Sequence, residues 1–157
     1  MSFEFVEENI EACCDAYFTA IEAFEAGDFA LAKSGFREAY ESTESNHKYR
    51  NKYFSCYGLS RLMSGDLTAV ELCRRAARKE QQDGDVFLNL ARAELQVQNR
   101  MNAIMALKQG LRIANQHFGL RALRLQLGVR RRSALPFLPR THPVNQSLGQ
   151  MMRVSSV

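Results

Sequence analysis

The sequence predicts an all-α protein built from helical hairpins, and three observations lead to that prediction. All three prolines lie between Pro136 and Pro143, so residues 1–135 contain none of the strongest helix breaker. Apolar residues recur three to four positions apart through most of the first 127 residues, which is the spacing of one helix face. A short turn followed by the same small–large–small pattern also occurs three times.

The repeated pattern has a near-constant period. Its first copy begins at Ala32, the second begins 37 residues later at Ala69, and the third begins 34 residues further on at Ala103. A period of this length indicates stacked helical hairpins. The small residues let a neighbouring helix approach closely. The three turns are Gly27-Asp28, Gly65-Asp66 and Gln98-Asn99, and the three stripes are Ala32, Phe36 and Ala39, then Ala69, Cys73 and Ala76, then Ala103, Leu107 and Gly110.

Seven helices are predicted in order along the chain. The first covers about 4–26, and Asp28 is a suitable N-cap for the second. Polar residues 41–47 read as a long connector, and Gly84 is expected at the centre of a loop over 81–85. The remaining helices are predicted at about 29–40, 48–63, 67–80, 86–97, 101–114 and 118–127.

The seventh helix has the pattern expected of a cap, and the chain changes character after it. Leu120, Leu123 and Leu127 form a leucine stripe with arginines on the opposite side, and Gly128 is a plausible residue to end the helix. The three closely spaced prolines that follow favour an extended path. We therefore expect a helical domain over 1–128 and a basic tail over 129–157.

The hairpins resemble those of the tetratricopeptide repeat (TPR) family over about residues 10–127. That family has a bulky residue and a Leu-Gly or Leu-Ala pair in helix A, a Gly-Asp or Gly-Asn turn, and an Ala–aromatic–Ala stripe in helix B. The proline that usually follows helix B is missing here in all three hairpins. The resemblance implies a small bacterial TPR protein, a right-handed superhelix of about three hairpins plus a capping helix. The matching residues are Tyr17, Ala20, Ile21 and Phe24 in the first hairpin, Phe54, Tyr57, Gly58, Gly65 and Asp66 in the second, and Phe87, Leu90 and Ala91 in the third, together with the stripes.

The resemblance also implies a function and a site. TPR proteins bind a peptide or a partner helix in the concave groove that their A helices line, and many serve as adaptors or scaffolds. This chain is expected to act in the same way. By the alignment of the hairpins, its groove would be lined by Asp15, Phe18, Glu22, Glu25, Lys52, Ser55, Leu59, Asp85, Leu88, Asn89 and Arg92.

Charge is divided unevenly along the chain. Residues 1–94 contain 17 acidic and 11 basic residues, whereas residues 95–157 contain 10 basic residues and no acidic one. Such a split is typical of an interaction tail or of chain ends that attract each other. We therefore hypothesise that the tail folds back onto its own domain, or binds a second copy, and so regulates the groove. The tail motif consists of Arg130, Arg131, Arg132, Leu135, Phe137, Leu138 and Arg140.

The sequence is also compatible with two alternative functions. The size and the three-hairpin layout are similar to those of type III secretion translocator chaperones, although those proteins are typically acidic. The basic C-terminal third could instead associate with nucleic acid, the ribosome or an anionic membrane, and such binding would weaken strongly as salt rises. Few aromatic residues accompany those charges, and no nucleic-acid motif is found.

The sequence gives no indication of an enzyme. It contains no Gly-rich phosphate loop, nucleophile elbow or zinc-protease motif. The four cysteines lack metal-ligand spacing and are expected to be reduced and mostly buried, so we predict no metal and no cofactor. The N-terminus lacks the pattern of a secretory signal, and no apolar run is long enough to span a membrane. A cytoplasmic protein is therefore expected.

Overall fold

The computed structural model describes residues 15–128 and Pro143, and this part of the chain is helical without any strand. The all-α prediction is confirmed for these residues. Predictions for 1–14 and for the tail motif, Arg130, Arg131, Arg132, Leu135, Phe137, Leu138 and Arg140, lie outside them. The described part of helix α1 covers 15–25, and it is followed by α2 (Phe29–Glu41), α3 (Arg50–Met63), α4 (Val70–Lys79), α5 (Gly84–Gln96), α6 (Arg100–Ile113) and α7 (Phe118–Gln126).

The helix boundaries follow the prediction with two differences. Gly84 was expected in the middle of a loop, but it is the first residue of α5. The reason is that the carboxylate of Asp83 caps the helix by accepting a hydrogen bond of 2.8 Å from the backbone N–H of Asp85. In addition, residues Leu67–Ala69 form a 3₁₀ turn before α4 begins at Val70.

The three repeated turns share one hydrogen-bonding pattern. Gly27, Gly65 and Gln98 have left-handed backbone conformations, with φ of 82°, 99° and 60°. In each turn the following backbone N–H bonds the carbonyl five residues earlier, at 2.9, 3.1 and 2.7 Å. The residue that donates this N–H is Asp28, Asp66 or Asn99, and its side-chain oxygen also caps the helix that follows the turn. The sequence repeat is therefore also a repeat of local structure.

Gln98 is the exception among these three positions, and replacing it by glycine is expected to stabilise the protein. A side chain in the left-handed region costs about 1–2 kcal/mol, and the greater freedom of glycine in the unfolded chain offsets part of that gain. We expect Gln98→Gly to raise the free energy of unfolding by about 0.5 kcal/mol in urea denaturation. The matched control, Gln109→Gly in the exposed interior of α6, should lower it by about 1 kcal/mol. A loss of stability at both positions would contradict this account of the turn.

The helices pack in a regular order. Each helix from α2 onward contacts the next one, and α3 also contacts α5, which in turn contacts α7. Clusters of buried side chains lie between successive helices, so that one joins α1, α2 and α3 and another joins α4 to α7. All nine residues of the three stripes are buried, as the small–large–small pattern predicts: Ala32, Phe36, Ala39, Ala69, Cys73, Ala76, Ala103, Leu107 and Gly110.

The close approach of α3 and α4 depends on Gly58. A Cβ atom at this position would lie 2.9 Å from the Cβ of Leu72 and 3.1 Å from the Sγ of Cys73. Both neighbours belong to α4, so a larger residue would push the two helices apart. Gly58 is one of the residues that carry the family resemblance, and its packing gives that match a physical reason.

An ion pair with a buried carboxylate joins α4 to α5. The guanidinium of Arg74 donates two hydrogen bonds to Glu94, from Nε to Oε1 at 2.7 Å and from the terminal nitrogen to Oε2 at 2.9 Å. The Glu94 side chain is only 3% exposed. This two-pronged geometry satisfies both carboxylate oxygens and fixes how α4 lies on α5.

Candidate protein-binding surface

A row of polar side chains crosses the odd-numbered helices, at the N-terminal ends of α3, α5 and α7. Lys52 of α3 donates from Nζ to Oδ2 of Asp85 at 2.6 Å, and the other oxygen of Asp85 lies 2.8 Å from Nε2 of His117, the N-cap of α7. Tyr17 of α1 completes the row because its ring centroid lies 5.8 Å from the same Lys52 Nζ. We call these four residues the polar row. It links all four odd-numbered helices.

Helix capping determines the orientation of His117. Its Nδ1 accepts a hydrogen bond of 3.3 Å from the backbone N–H of Leu120, in the first turn of α7. In the neutral imidazole the proton then lies on Nε2, which donates to Asp85. The same side chain therefore begins α7 and attaches it to α5.

The environment keeps Tyr17, Lys52 and Asp85 in defined protonation states. Burial alone would raise the pKa of Asp85, but hydrogen bonds from Lys52 and His117 hold it below its usual range. Burial alone would lower the pKa of Lys52, yet the hydrogen bond to Asp85 and the nearby negative groups hold it above its usual range. Burial raises the pKa of Tyr17 to about 12. At neutral pH the row is thus a charged Lys52–Asp85 pair beside an uncharged phenol.

Beneath the row, buried polar groups hold α3 against α5. The amide nitrogen of Asn89 donates to Oγ of Ser55 at 2.9 Å and contacts Sγ of Cys56 at 3.3 Å. The Ser55 hydroxyl donates in turn to the carbonyl of Lys52 at 2.8 Å. These contacts satisfy groups that would otherwise be costly to bury. They also hold α3 and α5 together directly below Lys52 and Asp85 of the polar row.

The two described cysteines are free and buried, which suits structural rather than reactive thiols. Burial raises the pKa of the Cys56 thiol to about 12 and that of Cys73 to the same value. A thiol with so high a pKa carries almost no thiolate at neutral pH. Among the described residues, no group of three or more His, Cys, Asp or Glu side chains could hold a metal ion.

Exposed aromatic rings extend from the row. The ring of Phe18 is 62% exposed and contacts Tyr17 edge to face at 5.7 Å. The ring centroid of Tyr17 lies 4.8 Å from that of Tyr53, and the ring centroid of Tyr53 lies 6.5 Å from that of Tyr49. Tyr49 is 41% exposed. This aromatic path links two exposed rings, Phe18 and Tyr49, to Tyr17 of the polar row. Exposed aromatic rings of this kind are common anchors at protein interfaces.

The residues predicted to line the groove divide by exposure. Asp15, Phe18, Glu22 and Glu25 share the exposed side of α1, and we call these four the α1 stripe. The structure brings four of these residues into direct contact, Lys52 with Asp85 and Ser55 with Asn89. Leu59 and Leu88 pack in two different core clusters. The α1 stripe and Arg92 are exposed, whereas Lys52 and Asp85 are half-buried. The remaining four predicted residues are buried: Ser55, Leu59, Leu88 and Asn89.

Sequence reasoning did not assign Tyr17 or His117 to the site. A usable signal was the repeat period: Asp85 stands 33 residues after Lys52, and His117 stands 32 residues after Asp85. Residues one period apart occupy matching places on successive hairpins, so the spacing would have put all three in one row. The missing step was to extend the period into the seventh helix.

The polar row and its neighbouring side chains can bind and orient a ligand and exclude water from it, but none of them is an activated nucleophile.

Among the helices that the structure describes, none has the length and apolar character needed to span a bilayer. Comparisons with protein-family models, curated proteins and solved structures give no match for this chain.

Proposed function

We propose that the protein is a protein–protein interaction adaptor with a TPR-like arrangement of hairpins. The contacts among α3, α5 and α7, together with the three matching turns, support stacking of successive hairpins. In such a stack the odd-numbered helices lie side by side and present one continuous surface. A peptide or a helix of a partner protein would bind along that surface.

The α1 stripe supports a particular kind of partner. Its one aromatic side chain is exposed, and its other three members are acidic. An exposed Phe flanked by carboxylates complements a ligand that has apolar anchors next to Lys or Arg. The single observation that carries the proposal is this pairing of exposed Phe18 with surrounding acids, beside the ordered polar row.

The basic tail provides a built-in candidate for such a ligand. It combines Arg130, Arg131 and Arg132 with an apolar Phe137-Leu138 pair. We propose that the tail competes with external partners for the α1 stripe, in its own chain or in a second copy. Competition of this kind would make partner binding dependent on what engages the tail.

Peptide selection followed by affinity measurement tests the adaptor function. Peptides selected by display against the full-length protein should be rich in Lys or Arg and carry Phe or Leu anchors. Phe18→Ala should weaken their binding by about 30-fold, because a central aromatic anchor contributes about 2 kcal/mol. Leu67→Ala is the matched control, since Leu67 is 60% exposed but lies outside the odd-numbered helices. Fluorescence anisotropy would measure each Kd.

The same titration separates the parts of the proposal. Replacing Arg130, Arg131 and Arg132 by glutamine in the full chain should tighten peptide binding if the tail competes. Unchanged binding would remove the tail from the proposal while leaving the groove in place. Selected peptides that bind Phe18→Ala as well as the wild type would contradict the assigned surface.

A further inference from the structure

The last described helix has an apolar face that no described element covers. Leu120 of α7 is fully buried against the core, whereas Phe118 and Leu125 on the opposite side are 85% and 81% exposed. These two residues are seven positions apart and therefore lie on one line of the helix. Exposed Arg121 stands beside them. We call Phe118, Arg121 and Leu125 the α7 outer face.

The other end of the described domain carries a groove of complementary character. It lies between α1 and α2 and has a volume of about 410 Å³. Its floor consists of small residues, among them Gly35, where a Cβ atom would lie 2.8 Å from the Cβ of Ala20. Leu31 borders the groove and is 52% exposed, and Asp15 and Glu38 give it acidic edges.

We propose that the α7 outer face of one copy of this protein packs into the α1–α2 groove of the next copy. Phe118 and Leu125 would contact the small-residue floor and Leu31, while Arg121 would lie among the acidic edges. Stacked hairpins bury their faces against neighbouring hairpins, so the two ends of a stack are the places where this burial is incomplete. A second copy completes it at both ends.

Charge explains why the α7 outer face would pair with the α1–α2 groove and not with a second copy of itself. No acidic residue follows Glu94, so α7 and the chain after it are both basic, and neither the tail nor a second α7 offers an acidic side chain to Arg121. The acidic edges of the groove likewise repel a second groove. Opposite charges favour the head-to-tail contact and disfavour the two symmetric ones. A head-to-tail contact is heterologous, and it extends into a ring or a filament.

Two substitutions in the full-length protein test this arrangement. Leu31→Glu blocks the groove and Leu125→Glu blocks the α7 outer face, and each variant alone should be monomeric by sedimentation velocity. An equimolar mixture should form a dimer and nothing larger, because one variant keeps a working α7 and the other keeps a working groove. The wild type should instead gain mass beyond a dimer as its concentration rises, and about 1 M salt should reduce that mass.

The controls make each outcome decisive. Leu67→Glu introduces the same change at an exposed site outside both faces and should assemble like the wild type. Dimer formation in the mixture also shows that both variants are folded. A wild type that stays monomeric, as it would if residues 1–14 filled the groove, overturns the proposal. Self-association that survives both substitutions also overturns it, because it would then use the tail or another surface. Peptide binding through Phe18 is a separate readout, because Phe18 does not line the groove and neither Leu31 nor Leu125 belongs to the α1 stripe, although Asp15 belongs to both surfaces.

Discussion

Replacing Arg74 by leucine is expected to lower the free energy of unfolding by about 3–5 kcal/mol. Its two hydrogen bonds to Glu94 are the compensation for burying a carboxylate that is 3% exposed. Without Arg74 that carboxylate stays buried without its charged partner. Urea denaturation followed by circular dichroism would measure the loss as a lower midpoint with an unchanged slope.

The converse substitution, Glu94→Leu, should lower the free energy of unfolding by clearly less than Arg74→Leu does. Arg74 is 34% exposed and lies 3.5 Å from Glu71, so its charge keeps both water and a second carboxylate when Glu94 is removed. Arg78→Leu is the matched control on the same helix. Its pair with Glu71 is largely exposed and should contribute less than 1 kcal/mol. Equal losses for Arg74→Leu and Arg78→Leu would mean that burial does not govern the strength of the Glu94 pair.

This ion pair shows what the sequence could not predict. Arg74 and Glu94 are 20 residues apart, and nothing in the local pattern of either helix connects them. The turns were predictable for the opposite reason. A Gly-Asp pair acts through its own backbone preferences and its own side chain, so the turns at Gly27-Asp28 and Gly65-Asp66 could be placed without knowledge of the packing. The repeat period then placed the third turn at Gln98-Asn99.

The predicted site shows the same division between local and long-range effects. The exposed side of α1 follows from the helical spacing of Asp15, Phe18 and Glu22, and it needs no knowledge of the neighbouring helices. Ser55 and Asn89 were expected on a groove surface, and the structure places them in a buried hydrogen bond between two helices. Their burial depends on how closely α3 approaches α5, and the local spacing of either helix does not reveal that distance.

The outer face of α7 could have been found from the sequence. The leucine stripe was predicted correctly to the extent that Leu120 is buried and Leu123 and Leu127 pack against the core. Placing the remaining residues on the same helical projection puts Phe118 and Leu125 opposite Leu120. A cap with a polar outer side would not contain those two residues. Their presence is the reason to look for a further partner at that end.

Glu80 carries the second large expected effect, because one carboxylate organises the whole loop between α4 and α5. Its Oε1 accepts hydrogen bonds from the backbone N–H groups of Gln81, Gln82 and Asp83 at 2.9, 2.8 and 3.0 Å. Its Oε2 accepts from Nδ2 of Asn51 on α3 at 3.1 Å. We expect Glu80→Ala to lower the free energy of unfolding by about 2–3 kcal/mol, since three loop donors lose a charged acceptor. Exposed Gln81→Ala is the control and should change it by less than about 0.5 kcal/mol.

The pH dependence of stability separates the charge of Glu80 from its shape. Burial alone would raise the pKa of Glu80, but the backbone hydrogen bonds hold it below the usual 4.5. A lowered folded-state pKa gives a contribution that is present above the unfolded-state pKa and is lost as the pH falls through the folded-state value. The wild type should therefore lose stability in acid more steeply than Glu80→Gln, which keeps an oxygen acceptor without the charge. Identical acid profiles would show that the loop needs only an acceptor. A steeper wild-type profile would show that the ionised carboxylate stabilises the loop that leads into α5, the helix that carries Asp85 of the polar row.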